Sequence, residues 1–238
     1  MKENETLKIN PLPSKTWYWL HLNDTTVKWN GDAQPCMVTA EEPEQVSEAG
    51  LNIKEMTTGV GAEADVIFED ENLPILQFTA KAEAGDRVIR LDISSEDKEN
   101  AAGTVYIAAE ENAHVTVIEK FTSGKKAQSD LAFRTKLYAG KNSTIRLIQI
   151  NMLDEGQRLL NAVGSVCDET AKLDVLQMFV GRGDVYNGIQ TELEGNQSEL
   201  HTEIGYIGQK QQILDMNLVV NHWGKKTNCD IQVDGTLK

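Results

Sequence analysis

Hydrophobic and polar positions alternate with period 2 through five short segments in the second half of the chain: His114–Glu119, Thr144–Gln149, Lys172–Gln177, Glu199–Ile204 and Asn228–Val233. Their starts lie 30, 28, 27 and 29 residues apart. Such alternation marks a half-buried strand, in which successive side chains point to opposite faces. Set beneath one another, the second positions are Val115, Ile145, Leu173, Leu200 and Cys229, and the fourth are Val117, Leu147, Val175, Thr202 and Ile231. The third positions, Thr116, Arg146, Asp174, His201 and Asp230, are polar. A second series, Gly140, Asp168, Gly195 and Gly224, closes neighbouring strand-like runs at intervals of 28, 27 and 29. Two series on one period predict stacked coils of at least two strands each, which is a parallel β-helix. Parallel crossovers nearly always take the right hand, so a right-handed wind is expected. A β-sandwich with regularly spaced strands is the competing arrangement.

Upstream the pattern is less regular. Residues 1–15 are polar and hold two of the five prolines, which predicts a mobile leader. Trp17, Trp19, Leu20 and Leu22 cluster in the next segment and suit an aromatic cap on a core. Residues 38–58 are rich in glutamate and read as a surface turn or short helix. From Ala64 the chain reads as strands at Asp65–Phe68, Ile75–Phe78, Arg87–Ile93 and Thr104–Ala108, with turn residues at 84–86 and 96–100. The expectation is a mainly β protein, a right-handed parallel β-helix with a mixed N-terminal region. Residues 1–59 form a leader and capping region, and residues 60–238 a strand-rich stretch passing into the solenoid. No polar capping element follows Val233, so the β-helix is expected to be open or truncated at its C-terminal end.

With 238 residues, 40% of them hydrophobic, the chain can bury a substantial core. Its 37 acidic against 23 basic residues give a formal charge of −14. That balance disfavours nucleic acid, whose binding depends on cations set against phosphates, and disfavours an anionic membrane surface. No apolar run reaches the roughly 18 residues of a membrane span, and the N-terminus has no apolar signal core, so a soluble cytoplasmic protein is expected. Three widely spaced cysteines, Cys36, Cys167 and Cys229, read as reduced thiols. The glycine pairs Gly59/Gly61 and Gly181/Gly183 lack the lysine of a phosphate loop and read as turns. Neither a Gly-x-Ser-x-Gly elbow nor a His-Glu-x-x-His pair is present.

The phrase Ala108-Ala-Glu-Glu-Asn-Ala-His-Val-Thr-Val-Ile-Glu119 resembles the SufB/SufD family, core components of the SUF iron–sulfur cluster assembly machinery. Leu12-Pro-Ser-Lys-Thr-Trp17, Leu193-Glu-Gly-Asn-Gln-Ser198 and Asn221-His-Trp-Gly-Lys-Lys-Thr227 resemble further family turns in the same order. In SufB-type members a cysteine lies four residues before the glycine of the Leu193–Ser198 turn, where this chain has Thr191, so the resemblance is SufD-like. It implies a non-enzymatic scaffold acting with a SufC-like ABC ATPase and a SufB/SufD homologue, as a homo- or heterodimer. No resident cofactor is implied, only a transient iron–sulfur cluster in the full complex. The family's later coils and C-terminal helices would lie beyond Lys238.

Iron–sulfur clusters take thiolate ligands, with histidine an occasional substitute. Cys229 and His222 are therefore the metal candidates, with Lys225 and Lys226 close enough in sequence to lower a thiol pKa. Against this, Cys229 stands in an apolar column and suits a small buried hydrophobe. His222 aligns with Tyr138, Val166 and Leu193 and suits a structural role in its turn. His201 and His114 occupy polar columns and are expected to be solvated. Cys167 precedes Asp168 and Glu169, whose charge would raise its pKa, and Cys36 has no activating neighbour in sequence. One alternative function is a β-helical carbohydrate-active enzyme using outward carboxylates. Asp174 and Asp230, two coils apart, would then lie about 10 Å from each other, at the wide limit for an inverting pair. The other alternative is a structural interaction module without cluster chemistry.

Overall fold

The structure, a computed structural model, describes residues 5–12, 25–29, 31–41, 56–82 and 86–238. Its first elements are β1 (Glu5–Ile9), β2 (Thr25–Trp29), β3 (Gln34–Pro35), β4 (Met37–Glu41), a one-turn helix α1 (Ala62–Asp65) continued by a 3-10 turn (Val66–Glu69), and β5 (Ile75–Ala80). From β6 (Arg87–Ser94) onward the chain alternates between two sheets. One sheet takes β6, β8 (His114–Thr122), β10 (Thr144–Met152), β12 (Lys172–Phe179), β14 (Glu199–Gly208) and β16 (Asn228–Leu237). The other takes β7 (Asn100–Ala109), β9 (Ser129–Ala139), β11 (Gln157–Cys167), β13 (Asp184–Leu193) and β15 (Leu214–His222). All pairings from β6 to β16 are parallel, giving a β-solenoid of about six turns. Among the described residues no helix is long and apolar enough to cross a membrane.

The repeat read from the alternation is the stacking register. Val115, Ile145, Leu173, Leu200 and Cys229 are successive cross-strand partners, as are Thr116, Arg146, Asp174, His201 and Asp230. At the corner between the two sheets, each turn places one residue in the left-handed region: Asn112, Asn142, Thr170, Gln197 and Lys226, at φ 55 to 61°. From that conformation the backbone N–H of Asn112, Asn142, Thr170 and Gln197 donates to the carbonyls of Lys141, Glu169, Asn196 and Lys225 in the next turn, at 2.9 to 3.0 Å. Asn142 also donates through Nδ2 to Asn112 Oδ1 at 2.6 Å. In the second series Gly195 and Gly224 are needed for closeness: a Cβ at Gly195 would lie 1.9 Å from Glu169 N, and one at Gly224 2.1 Å from Gly195 O.

The main apolar cluster of the solenoid takes in Cys36, Phe78, Ala80 and residues from Ile89 to Leu200, and a smaller one holds Phe179, Val185 and Ile204. The outer face of the β7–β15 sheet is also covered. Leu7 and Ile9 of β1, Val27 and Trp29 of β2, Val60, Ala64, Ile67 and Phe68 pack there on Ala102, Ala132, Leu160, Ala162 and Tyr186. That roof approaches most closely where Gly59 crosses Gly188. A Cβ on Gly188 would sit 2.3 Å from Val60 N, and one on Gly59 would sit 2.2 Å from Ile189 N. Asn217 Nδ2 holds the crossing by donating to Gly59 O at 2.9 Å.

Three local expectations are corrected. Residues 5–9 are not part of a mobile leader but the strand β1, paired antiparallel with β2, because Leu7 and Ile9 bury their side chains in the roof. Within the glutamate-rich stretch, residues 38–41 belong to β4, an antiparallel edge strand on β6. Asp65–Phe68 is helical: a strand would send Ile67 and Phe68 to opposite faces, whereas both are buried together under the roof. The remaining strands, at Ile75, Arg87 and Thr104, form as expected. The aromatic cluster Trp17, Trp19, Leu20 and Leu22 and residues 42–55 lie outside the described residues.

Thr170 is the one β-branched residue among the five left-handed turn positions, where such side chains are strained. Replacing it with Asn should raise stability by about 1 kcal/mol and the melting temperature by about 2–4 °C. Thermal unfolding monitored by circular dichroism checks this, and Asn142→Thr should move the melting temperature in the opposite direction.

Candidate functional site

The sixth position of the repeat points inward yet is polar in three consecutive coils: Glu119, Gln149 and Gln177, bracketed by Leu91 before and Ile204 after. Thr135, Asn161 and Asn187 meet them from the opposite sheet. All six are fully or almost fully buried. Thr135 Oγ1 donates to the Glu119 carboxylate at 2.9 Å, and Gln149 Nε2 donates to it at 2.6 Å. Asn161 Nδ2 donates to Gln149 Oε1 at 2.7 Å and to Asn187 Oδ1 at 2.8 Å. Gln177 Nε2 donates to Gln149 Oε1 at 2.6 Å, and Asn187 Nδ2 returns a bond to Gln177 Oε1 at 2.8 Å. The result is a closed amide ladder through the centre of the solenoid, ending on one carboxyl group. Burial drives the Glu119 pKa up to about 7, since its two hydrogen-bond donors only partly replace water.

Thr191, where the resemblance places a SufB-type cysteine, is fully buried on the inner face of β13. Its hydroxyl lies 2.7 Å from that of Ser165 in the preceding coil. A polar pair thus fills this inward position, beside the amide ladder but without a thiol.

Cys229 stands in the apolar column on the inner side of β16, partly buried against the core. Its pKa is raised by burial and by the neighbouring Asp230 carboxylate, which reverses the lowering expected from Lys225 and Lys226. His222 ends β15, and its ring Nδ1 lies 2.7 Å from Thr227 Oγ1, a contact that fastens the turn. Its true column is Ala139, Cys167 and Leu193. Tyr138 and Val166 instead align with Glu192 and Asn221, so the register expected for His222 is one residue off. Among the described residues no three His, Cys, Asp or Glu side chains converge so as to hold a metal ion.

Cys167 is pushed up to about 12, the direction expected, but by burial rather than by Asp168 and Glu169. Cys36 is likewise raised to about 12 by burial. His114 is exposed, as expected. His201 is more engaged than its polar column suggested. Its two ring nitrogens face Glu203 at 2.9 Å and Asp230 at 3.2 Å, and the hydrogen bond to Glu203 leads the upward shift of its pKa.

The outward carboxylates are in pairs: Asp174 with Arg146 at 3.3 Å and Asp230 with His201. Two shallow clefts run along the opposite corner of the solenoid. One, of about 480 Å³, is lined by Glu99, Asp130, Arg158 and Asp184, and here Arg158 clamps both oxygens of Asp130. The other, of about 370 Å³, is lined by Glu155, Arg182, Asp184 and Lys210.

The family model described as SUF system FeS cluster assembly, SufBD core domain, matches residues 92–238. Comparison with curated proteins and with solved structures found no match. The matched span begins within β6 and runs through the solenoid to β16. The chain belongs to the SufBD core family, and its part is in SUF iron–sulfur cluster assembly.

Two outcomes follow from the buried groups. Because the folded-state pKa of Glu119 is raised, the folded protein binds this proton more tightly than the unfolded chain. The wild type should lose stability relative to Glu119→Gln as pH rises from about 4.5 to about 7, levelling at about 3 kcal/mol. Urea titrations of both proteins across that range measure it. In thiol labelling of the native protein, Cys229 should be modified while Cys36 and Cys167 are protected. The Cys229 rate should still be climbing above pH 9, as peptide mapping of a timed alkylation series will show.

Proposed function

We propose that the chain is a non-enzymatic, SufD-like scaffold subunit of SUF iron–sulfur cluster assembly, working with an ABC-type ATPase and a SufB/SufD homologue. The observation that carries this reading is that the span of the family match, residues 92–238, coincides with the stacked coils from within β6 to β16. A solenoid of in-register coils is a stiff rod, suited to holding partner surfaces at fixed separation. Rearrangement would be driven by the ATPase, and the cluster would pass through the assembled complex as cargo. Within this chain, Thr191 in place of a thiol and the raised pKa of Cys229 favour a supporting SufD-type role over direct sulfur chemistry. Cys229 and His222 stay the candidate ligands nearest the C-terminal coil, each needing donors from a partner to complete a site. The engagement of Asp174 and Asp230 in separate ion pairs leaves little support for a carbohydrate-active enzyme.

Anaerobic affinity capture from the native host, followed by mass spectrometry and iron and sulfide analysis, tests the proposal. Recovery of an ABC-type ATPase and a second SufB/SufD chain is the expected result. Recovery of the chain with neither would sink the ATPase-coupled scaffold.

A further inference from the structure

The roof packs on the β7–β15 sheet, and the outward face of the β6–β16 sheet lies on the other side of the solenoid. Alternation puts Ile118 of β8, Ile148 and Ile150 of β10, and Leu176 and Met178 of β12 on that face. Ile148 partners both Ile118 and Leu176, and Ile150 partners Met178. All five are only partly buried or exposed, and Met152 at the end of β10 is 48% exposed. Met178 leans over Gly205 of β14, where a Cβ would stand 3.0 Å from its Sδ. The result is an apolar strip three strands wide, with two flexible thioethers at one end.

The two sides of the strip differ in charge. On the β6–β8 side, Arg90 lies 4.0 Å from Glu41 and Lys120 lies 3.8 Å from Asp92, so cations and carboxylates pair off. On the other side, β14 and β16 turn Glu199, Glu203, Asp230 and Asp234 outward with His201. Lys172 takes up Glu199 at 3.1 Å, but Glu203 and Asp230 share one imidazole, and Asp234 meets only the Gln232 amide, at 3.2 Å. Glu203 stands next to Leu176 in register, and Asp234 next to Gly205, so this acidic edge borders the apolar strip directly.

We propose that this face is a docking site for an amphipathic helix of a partner protein, its apolar stripe laid along β10 and β12 and its basic flank turned toward β14 and β16. A helix about 10 Å across covers two strand spacings of about 4.8 Å, the breadth from Ile118 to Leu176. Ile148 to Met152 is about 13 Å along the strand, or roughly nine helical residues. Apolar anchors at i, i+3 or i+4, and i+7 then meet Ile148 with Leu176, Ile150 with Met178, and Met152 in turn. An added strand has no place here, because β10 and β12 are already bonded on both sides. A second copy of the chain brings no basic flank, since its own Arg90 and Lys120 are taken up by Glu41 and Asp92. Charge complementarity thus selects the partner: an apolar stripe bordered by lysine or arginine on one side. The inference goes beyond the scaffold reading and does not rest on it.

Two synthetic helical peptides of about 14 residues test it, with leucines at i, i+3, i+4 and i+7 and either lysines or glutamates along one flank. Fluorescence anisotropy of each labelled peptide measures binding to the 238-residue chain, and circular dichroism confirms that every variant folds. The lysine peptide should bind at micromolar concentration and the glutamate peptide should not. Met152→Ser with Met178→Ser should weaken the lysine peptide at least tenfold. Glu203→Lys with Asp234→Lys should invert the preference toward the glutamate peptide, although the formal charge of the chain, −14 in the wild type, stays negative. No binding of the lysine peptide at about 100 µM would overturn the proposal. Binding indifferent to both pairs of substitutions would do the same, since it would reflect the overall charge of the chain and not this face. Sedimentation equilibrium without peptide supplies the remaining check: a dimer lost on Met152→Ser with Met178→Ser would give the face to a second copy and overturn the helix.

Discussion

Everything in this molecule depends on each coil lying in register on the one before. The parallel ladders from β6 to β16 fix the register along the strands, and the left-handed residue in each corner turn fixes it between them. A backbone N–H that would be stranded at a corner is aimed at the next turn's carbonyl instead. Once that geometry repeats, side chains at equivalent positions must lie above one another. Columns, rather than single residues, then become the units on which chemistry acts.

The amide ladder shows what a column permits. A lone buried glutamine would strand polar atoms, but stacked on two partners and faced by Asn161 and Asn187 it exchanges bonds in every direction. Glu119 is the exception in the series, because a carboxylate brings a charge that amides satisfy only in part. Its burial and the Ser165–Thr191 pair give the apolar interior of this SufBD-core chain a connected polar seam, with a hydroxyl rather than a thiol at position 191.

Much of the fold was legible because period and alternation carry it. The five segment starts, His114, Thr144, Lys172, Glu199 and Asn228, are the first residues of five strands. The interior ladder was legible too, in a column left unread: Glu119, Gln149 and Gln177 are polar where alternation demands apolar side chains. The register error at His222 arose because the corner after β13 runs one residue longer than those before it, so a constant offset from the glycines misaligns the last coils. The roof was not legible. Leu7, Ile9, Gly59 and Gly188 acquire their roles only by meeting across the outer sheet, and no local pattern encodes a contact between residues more than a hundred positions apart. Asp230, next to Cys229 in sequence, was a legible neighbour, but the burial that leads the rise in the Cys229 pKa is set by the packing of the coils and not by sequence spacing.

The roof also alters how the molecule should come apart. A bare solenoid is a one-dimensional stack whose units contact only their neighbours, and its terminal coils can fray independently. Here Asn10 donates to Asn187 O at 3.3 Å and to Asp215, Thr25 donates to Asp215 at 2.5 Å, and Arg158 reaches Lys28 O at 2.6 Å. The first strands of the chain are thereby bonded to β11, β13 and β15. To release the late coils the chain must also peel away its own beginning, so a modular stack is converted into a structure whose two ends melt as one cooperative unit.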